Sequence, residues 1–225
     1  MPFEHVKHGL VLPELDCETT DIGRVYWQTE EPDLRFPSIT TVLSIHDKGG
    51  VEAWRARVGA KEADRVSKAA TDRGTAVHLI AEDYLNNVPT WRENRPPAYL
   101  QSFLPVKRIL DERMHNVWMQ EIQLFSKRLK TAGRTDTIGV FDGLLSVVDF
   151  KTSTRPKAKH YIEKYFMQES FYAAAFFEQT GIPIKQLVTI ITVDEGLPQV
   201  FIEKPMDWLP KFMKIRENYR ALKGL

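Results

Sequence analysis

Three charged side chains, Asp136, Asp149 and Lys151, stand where a β-hairpin would ordinarily place apolar or neutral residues. The flanking stretches 137–141 and 144–150 are rich in Val, Ile, Leu, Phe and Thr, and Asp142-Gly143 between them is a strong hairpin signal. A two-residue turn at 142–143 sets Asp136 opposite Asp149. Directly opposed side chains lie about 4.5–5.5 Å apart at Cβ, and like charges there destabilise a sheet. Lys151, two residues beyond Asp149, shares its face. A divalent cation between the carboxylates is the simplest relief for their repulsion. A cation with an ammonium group beside it is the equipment of phosphodiester hydrolysis.

Other residues could join such a centre, each with a plainer alternative. His78 and Glu82 are four apart, on one face of a predicted helix. They form either a core histidine with a surface acid, or a ligand and its neighbour; imidazole suits Mn²⁺ and tolerates Mg²⁺ beside carboxylates. Gly74, one turn earlier, would let a backbone approach closely. Gln168 and Tyr172 repeat the four-residue spacing on the helix after the hairpin, as site residues or as a buried aromatic with a polar neighbour. Glu121, inside the preceding strand, either approaches the cation or faces solvent. Basic residues flank the acidic centre: Lys127, Arg128, Lys130 and Arg134 before it, Arg155, Lys157, Lys159 and Lys164 after it. Such clusters are usually solvated faces, but here they suit phosphate contacts along a nucleic-acid strand. Trp54, Trp91 and Tyr99 could stack bases, although core packing is the commoner fate of each.

The elements that must hold these residues can be read in order. Arg24 to Thr29 has strand character, and Glu30 to Asp33 reads as a turn. Ser38 caps a short helix to about Ile45, broken by Gly49-Gly50. Helices follow over about 51–66, 70–85 and 99–112, with a proline-rich loop at 89–97. A strand at 117–125 precedes the hairpin. A long helix over 157–179 ends at Gly181 and Pro183. Strands at 187–193 and 199–203 and a closing helix at 208–222 complete the chain. The fold class is therefore α/β or α+β, a mixed central sheet flanked by helices, with an N-terminal helical region. The expected division is an extension over 1–35 and one domain over 36–225, helical to 115 and sheet-based from 116.

Composition bounds the function. The 225 residues are 43% hydrophobic and 27% charged, ordinary for a globular protein. A formal net charge of +1 excludes indiscriminate electrostatic adhesion to nucleic acid, so contacts must be local. The single cysteine, Cys17, excludes an internal disulfide framework and a multi-cysteine metal cluster, and fits a reducing compartment. The N-terminus lacks the apolar stretch of a signal peptide. The longest apolar run, 171–177, is too short to span a bilayer, so a cytoplasmic location without a membrane partner is expected.

Four blocks occur in order: Gly74-x-x-x-His78, Gly133-Arg-Thr-Asp136, Asp149-Phe-Lys151-Thr152 and Gln168-x-x-x-Tyr172. Together they resemble the RecB-type branch of the PD-(D/E)XK nuclease superfamily, and most of all the mitochondrial genome maintenance exonucleases with their phage and bacterial relatives. Arg24-x-Tyr26 followed by Phe36-Pro-Ser-Ile-Thr-Thr-Val-Leu43 looks like the N-terminal block of that group, so the resemblance spans about 24–220. It implies a restriction-endonuclease-like core. His78, Asp136, Asp149 and the carbonyl of Phe150 would ligate one or two Mg²⁺ or Mn²⁺ ions. Lys151 would position or activate the attacking water and stabilise charge on the phosphate. Gln168 and Tyr172 would support the site and touch DNA; Ser38 and Thr40 would contact phosphates. Thr135 stands where many members carry proline. The iron–sulfur cysteines of some relatives are missing, so no cluster is expected. With no helicase motif, any unwinding falls to a partner such as a helicase, polymerase or single-strand-binding protein. The activity implied is a metal-dependent DNA exonuclease on single strands or free ends, in replication, recombination or repair, in a bacterial or phage-infected cell. Alternatives on the same core are a structure-specific endonuclease and a non-catalytic nucleic-acid-binding module.

Overall fold

Alternation along the strands generates two cores, one on each face of a mixed sheet. The computed structural model describes residues 2–46, 48–194 and 196–223. Six strands among them form one sheet in the order β1 (Glu4–His5), β5 (Met114–Ser126), β6 (Thr131–Phe141), β7 (Leu144–Ser153), β8 (Gln186–Val193), β9 (Gln199–Glu203). β1 runs parallel to β5 and β7 parallel to β8; the remaining pairs are antiparallel. Val147, Leu187 and Ile191 point to one face, against helices α5 (Glu163–Thr180) and α6 (Pro205–Lys223). Val148, Phe150, Val188 and Ile190 point to the other, against α3 (Ala60–Leu85) and α4 (Pro97–Arg113). A sheet covered on both faces accounts for the near-continuous apolar run of β8, in which every residue is buried. No helix among the described residues is long and apolar enough to cross a membrane.

The β6–β7 hairpin follows its turn chemistry. Asp142 and Gly143 have φ of 49° and 78°, the paired left-handed conformations of a two-residue turn whose twist suits a hairpin. Pairing runs from Phe141↔Leu144 to Thr137↔Val148, the register expected from the turn. One step further, at Asp136 and Asp149, no strand pair is recorded, and the Asp136 carboxylate instead accepts the Phe150 N–H at 2.8 Å.

Several expected boundaries move. The break in the helical region falls at Gly59 (φ 86°), between α2 (Lys48–Val58) and α3, and not at 67–69. Gly49-Gly50 does not interrupt a helix but lies in the first turn of α2, where amides have no intrahelical partner to lose. α5 begins at Glu163, after a 3-10 turn at Lys159–Tyr161, and not at 157. Glu31 and Asp33, read as turn residues, belong to strand β4 (Glu31–Pro37). That strand forms a second, antiparallel sheet with β2 (Leu15–Thr20) and β3 (Gly23–Gln28). Its Leu15, Tyr26 and Phe36 pack on Phe125 and Ala132 of the hairpin strands β5 and β6, and Phe36 leads through Ser38 into α1 (Ile39–Leu43). The expected extension is thus split: β1 joins the edge of the main sheet, and β2, β3 and β4 form a wall beside it. Ser38 caps α1 as expected, its hydroxyl accepting the Thr41 N–H at 3.0 Å.

Candidate active site

The site forms where β6 and β7 part. α3 buries Val77, Ile80, Ala81 and Leu85, a stripe at helical spacing. His78, next to that stripe, is carried to the sheet end and lies edge-on to Phe150, ring centroids 6.4 Å apart. Its Nδ1 is 3.3 Å from Asp136 Oδ2. On β5, Gln120 pairs with Thr137 and Ile122 with Thr135, which sets Glu121 opposite Asp136. Glu121 has φ 49°, a left-handed conformation uncommon for a non-glycine residue, of the kind that clusters at functional sites. Ligand atoms of His78, Glu121 and Asp136 all lie within 4.8 Å of one another. An imidazole and two carboxylates form a donor set that suits Mn²⁺ or Mg²⁺.

The charges agree with that grouping. Burial pushes the Glu121 carboxyl up, and the Asp136 charge adds to it against the opposing pull of Arg134, which pairs with Glu121 at 2.9 Å. Burial would raise Asp136 too, but His78, Lys151 and the Phe150 N–H outweigh it and hold the group below its usual range. Two facing carboxylates, one disfavoured in its charged form by the other, are relieved by a cation.

Asp149 and Lys151 stand immediately behind, on the α5 face by alternation with Val147. Asp149 is 1% exposed and its carboxylate is ion-paired with the Lys151 ammonium. Burial raises Asp149 to about 6, with Asp136 adding to the effect against the pull of Lys151. Lys151 lies 5.1 Å from the centroid of the Tyr165 ring. Burial lowers its affinity for a proton, yet Asp149 and Asp136 more than compensate, and it holds its proton above the usual lysine range. The ammonium form is therefore the favoured one beside these two carboxylates.

An open cleft of ≈ 440 Å³ lies in front of His78, Glu121 and Asp136. All the quoted blocks but Asp149–Thr152 reach it, Asp149 and Lys151 not being among its walls: Arg24 and Tyr26 come from β3, Ser38 and Thr40 from the start of α1, Gly74 and His78 from α3. Gly133 and Asp136 of β6, and Gln168 and Tyr172 of α5, complete it. Gln168 Nε2 donates to the Tyr172 hydroxyl at 3.1 Å. Ser38 Oγ is 2.9 Å from Thr40 Oγ1. Glu82 and Arg134 line the same cleft. The close approach expected at Gly74 is absent: a Cβ there would meet nothing within 4 Å, so this glycine keeps a cleft wall bare. Gly133 is the position of close approach, where a Cβ would lie 2.8 Å from Ile39 Cγ2 and 2.9 Å from Tyr172 Cε1.

Other expected residues lie elsewhere. Arg155 is exposed past the end of β7 and is not a wall of this cleft. Lys127 pairs with Glu31 at 2.9 Å at the hairpin tip, where the Lys127 and Arg128 amides donate to Glu178. Of that basic cluster, Arg134 reaches the cleft. Lys159 pairs with Glu203. Trp91 packs on Tyr84 and Phe103 in the core. Sequence reading passed over Glu169, which is 0% exposed on α5 and accepts the Thr189 hydroxyl. A lone carboxylate within the apolar stretch 166–177 was the available signal.

No family model matches this chain, and no curated protein does. Among solved structures, a protein described as a candidate exonuclease from Eubacterium rectale overlays 65% of this chain with 68% of its own, at TM-score 0.42 and 11% identity. The protein SSO0001 overlays 65% with 74% of its own, at TM-score 0.37 and 17% identity. At these scores neither bears on what this chain does.

Proposed function

We propose that this protein is a metal-dependent deoxyribonuclease of the RecB-like PD-(D/E)XK type, acting as an exonuclease on single strands or free DNA ends. The observation that carries the reading is the meeting of His78, Glu121 and Asp136 within 4.8 Å, with the half-buried Lys151 ammonium ion-paired to Asp149 behind them. The preference for single strands and ends, and a place in replication, recombination or repair, rest on the sequence resemblance. His78, Asp136 and Glu121 would hold the cation, with Asp149 joining once freed from Lys151. A bound divalent cation supplies Lewis acidity toward a phosphoryl oxygen and a water of lowered pKa.

The chain's own groups do the rest. Lys151 offers a fixed positive charge to the oxygen atoms that gain charge as the phosphodiester breaks, in a partly dry setting where such a charge counts for more than in water. Tyr172 and Gln168 would form a hydrogen-bonded wall that orients the strand. The exposed Thr40 hydroxyl would contact a backbone phosphate, with the buried Ser38 hydroxyl supporting it from behind. Arg134 balances Glu121 and stands at the cleft to meet a phosphate.

Lys151→Ala is expected to fold and bind single-stranded DNA normally, and to cleave about 10²–10³-fold more slowly, the cost of one lost charge-stabilising group. Cleavage at the parent rate would refute the role. End-labelled linear and circular single strands, with and without Mg²⁺, test the class of cut. Circles should survive, and degradation of circles would make the enzyme an endonuclease.

A further inference from the structure

Glu169, like Asp149, is a buried carboxylate of the centre that lines no cleft wall. It lies on α5 one residue from Gln168, is 0% exposed, and accepts the Thr189 hydroxyl through Oε1. Its Oε2 is buried without a hydrogen-bond partner. Thr189 is the register partner of Asp149 on the neighbouring parallel strand, and alternation puts both on the α5 face. A carboxylate is costly to bury without a cation or donors for both oxygens. The cation within its electrostatic reach is Lys151.

The ion pair engages Asp149 Oδ2, so a cation drawing this carboxylate to itself competes with the Lys151 ammonium for it. A cation drawing Asp149 and Asp136 to itself removes two of the acids that balance that ammonium, and an ammonium left unbalanced in a buried site is strongly disfavoured. We infer that Glu169 is a positioning residue: held by Thr189, its carboxylate takes over as the counter-charge of Lys151 when Asp149 turns to the cation. Glu169 thereby frees a ligand and keeps the ammonium in place for the phosphate. In the cation-free state, burial and the Asp149 charge push the Glu169 carboxyl well above its usual range, so its taking over as counter-charge is coupled to release of its proton to solvent.

This role presupposes the cation site proposed above, and the test separates the two. Mn²⁺ affinity is measured calorimetrically, without DNA, for the parent, Glu169→Gln, Lys151→Ala and the double variant. Glu169→Gln should bind Mn²⁺ about tenfold more weakly, the effect of one neighbouring charge worth about one pK unit. In the Lys151→Ala background, where Asp149 has no ammonium to surrender, the same substitution should change affinity by about twofold or less, a non-additivity that marks direct coupling. Equal losses in both backgrounds, or no loss in either, would overturn the inference while leaving the cation site standing. A parent that binds no Mn²⁺ would remove both. Should Glu169→Gln fail to fold, Thr189→Val, which withdraws the hydroxyl holding the carboxylate, carries the same expected dependence on Lys151.

Discussion

In the proposed cation site, Asp149 and His78 would set the response to pH. A ligand must shed its proton before it can bind a cation. Burial raises Asp149 to about 6, with Asp136 adding to the effect. Burial lowers the proton affinity of His78, but Asp136 more than reverses it and the imidazole ends above its usual value. Both groups therefore carry protons in a range where free carboxylates and, in part, free histidines do not. The sign follows: acid competes with the cation, and binding releases protons. Mn²⁺ affinity should fall as pH is lowered from about 8 to about 5.5, by up to about tenfold per pH unit for each proton released. Calorimetry in buffers of different ionisation enthalpy would count the protons; an affinity flat across that range would contradict the assignment of these two groups as ligands.

Among the elements, the contact of β6 with α1 and α5 is the tightest constraint on the site. Gly133 allows Ile39 and Tyr172 to touch the β6 backbone three residues before Asp136. A methyl group at 133 would come within 3 Å of both side chains, closer than carbon atoms tolerate. Gly133→Ala should therefore lose about 1–3 kcal/mol in urea unfolding, the range for overpacking a dense core. It should also slow cleavage, because displacing Tyr172 displaces Gln168 with it. A variant as stable and as active as the parent would show that Tyr172 moves freely. The hairpin sets a second constraint. Its turn fixes the register, and the lapse of pairing past Thr137 and Val148 opens the gap in which Asp136 meets Phe150 and His78.

Across the whole molecule, Glu121 of β5 and Asp136 of β6 converge at one end of the main sheet, with Asp149 of β7 close enough to Asp136 for their charges to interact. Convergent carboxylates cost stability unless balanced, and a cation bound only by the folded state restores it by mass action. At about 100-fold excess over its dissociation constant, Mn²⁺ should stabilise the fold by about 2.7 kcal/mol. For a chain of this size that is a rise of about 5–10 °C in Tm. Asp136→Asn should lose most of the rise. A thermal scan with and without Mn²⁺ measures both, and an identical rise in the variant would place the cation elsewhere.

Local chemistry made the centre legible before any coordinates. The Asp142-Gly143 turn dictates the register as far as Thr137 and Val148, period two ties Lys151 to Asp149, and the four-residue spacings of His78 with Glu82 and Gln168 with Tyr172 follow from the helical repeat. These depend on residues close in the chain, whose geometry the backbone imposes. The facing of Asp136 and Asp149 around one cation does not follow, since the cluster takes Asp136 with Glu121 and His78 instead. Tertiary structure decided what depends on distant pairings. It placed Glu121 with His78 and Asp136, turned Asp149 to Lys151, and sent Lys127 to Glu31 and away from the cleft. It also buried Glu169 against Thr189 and moved the point of close approach from Gly74 to Gly133. None of these follows from periodicity, because each depends on which strand lies beside which and how far the hairpin stays paired.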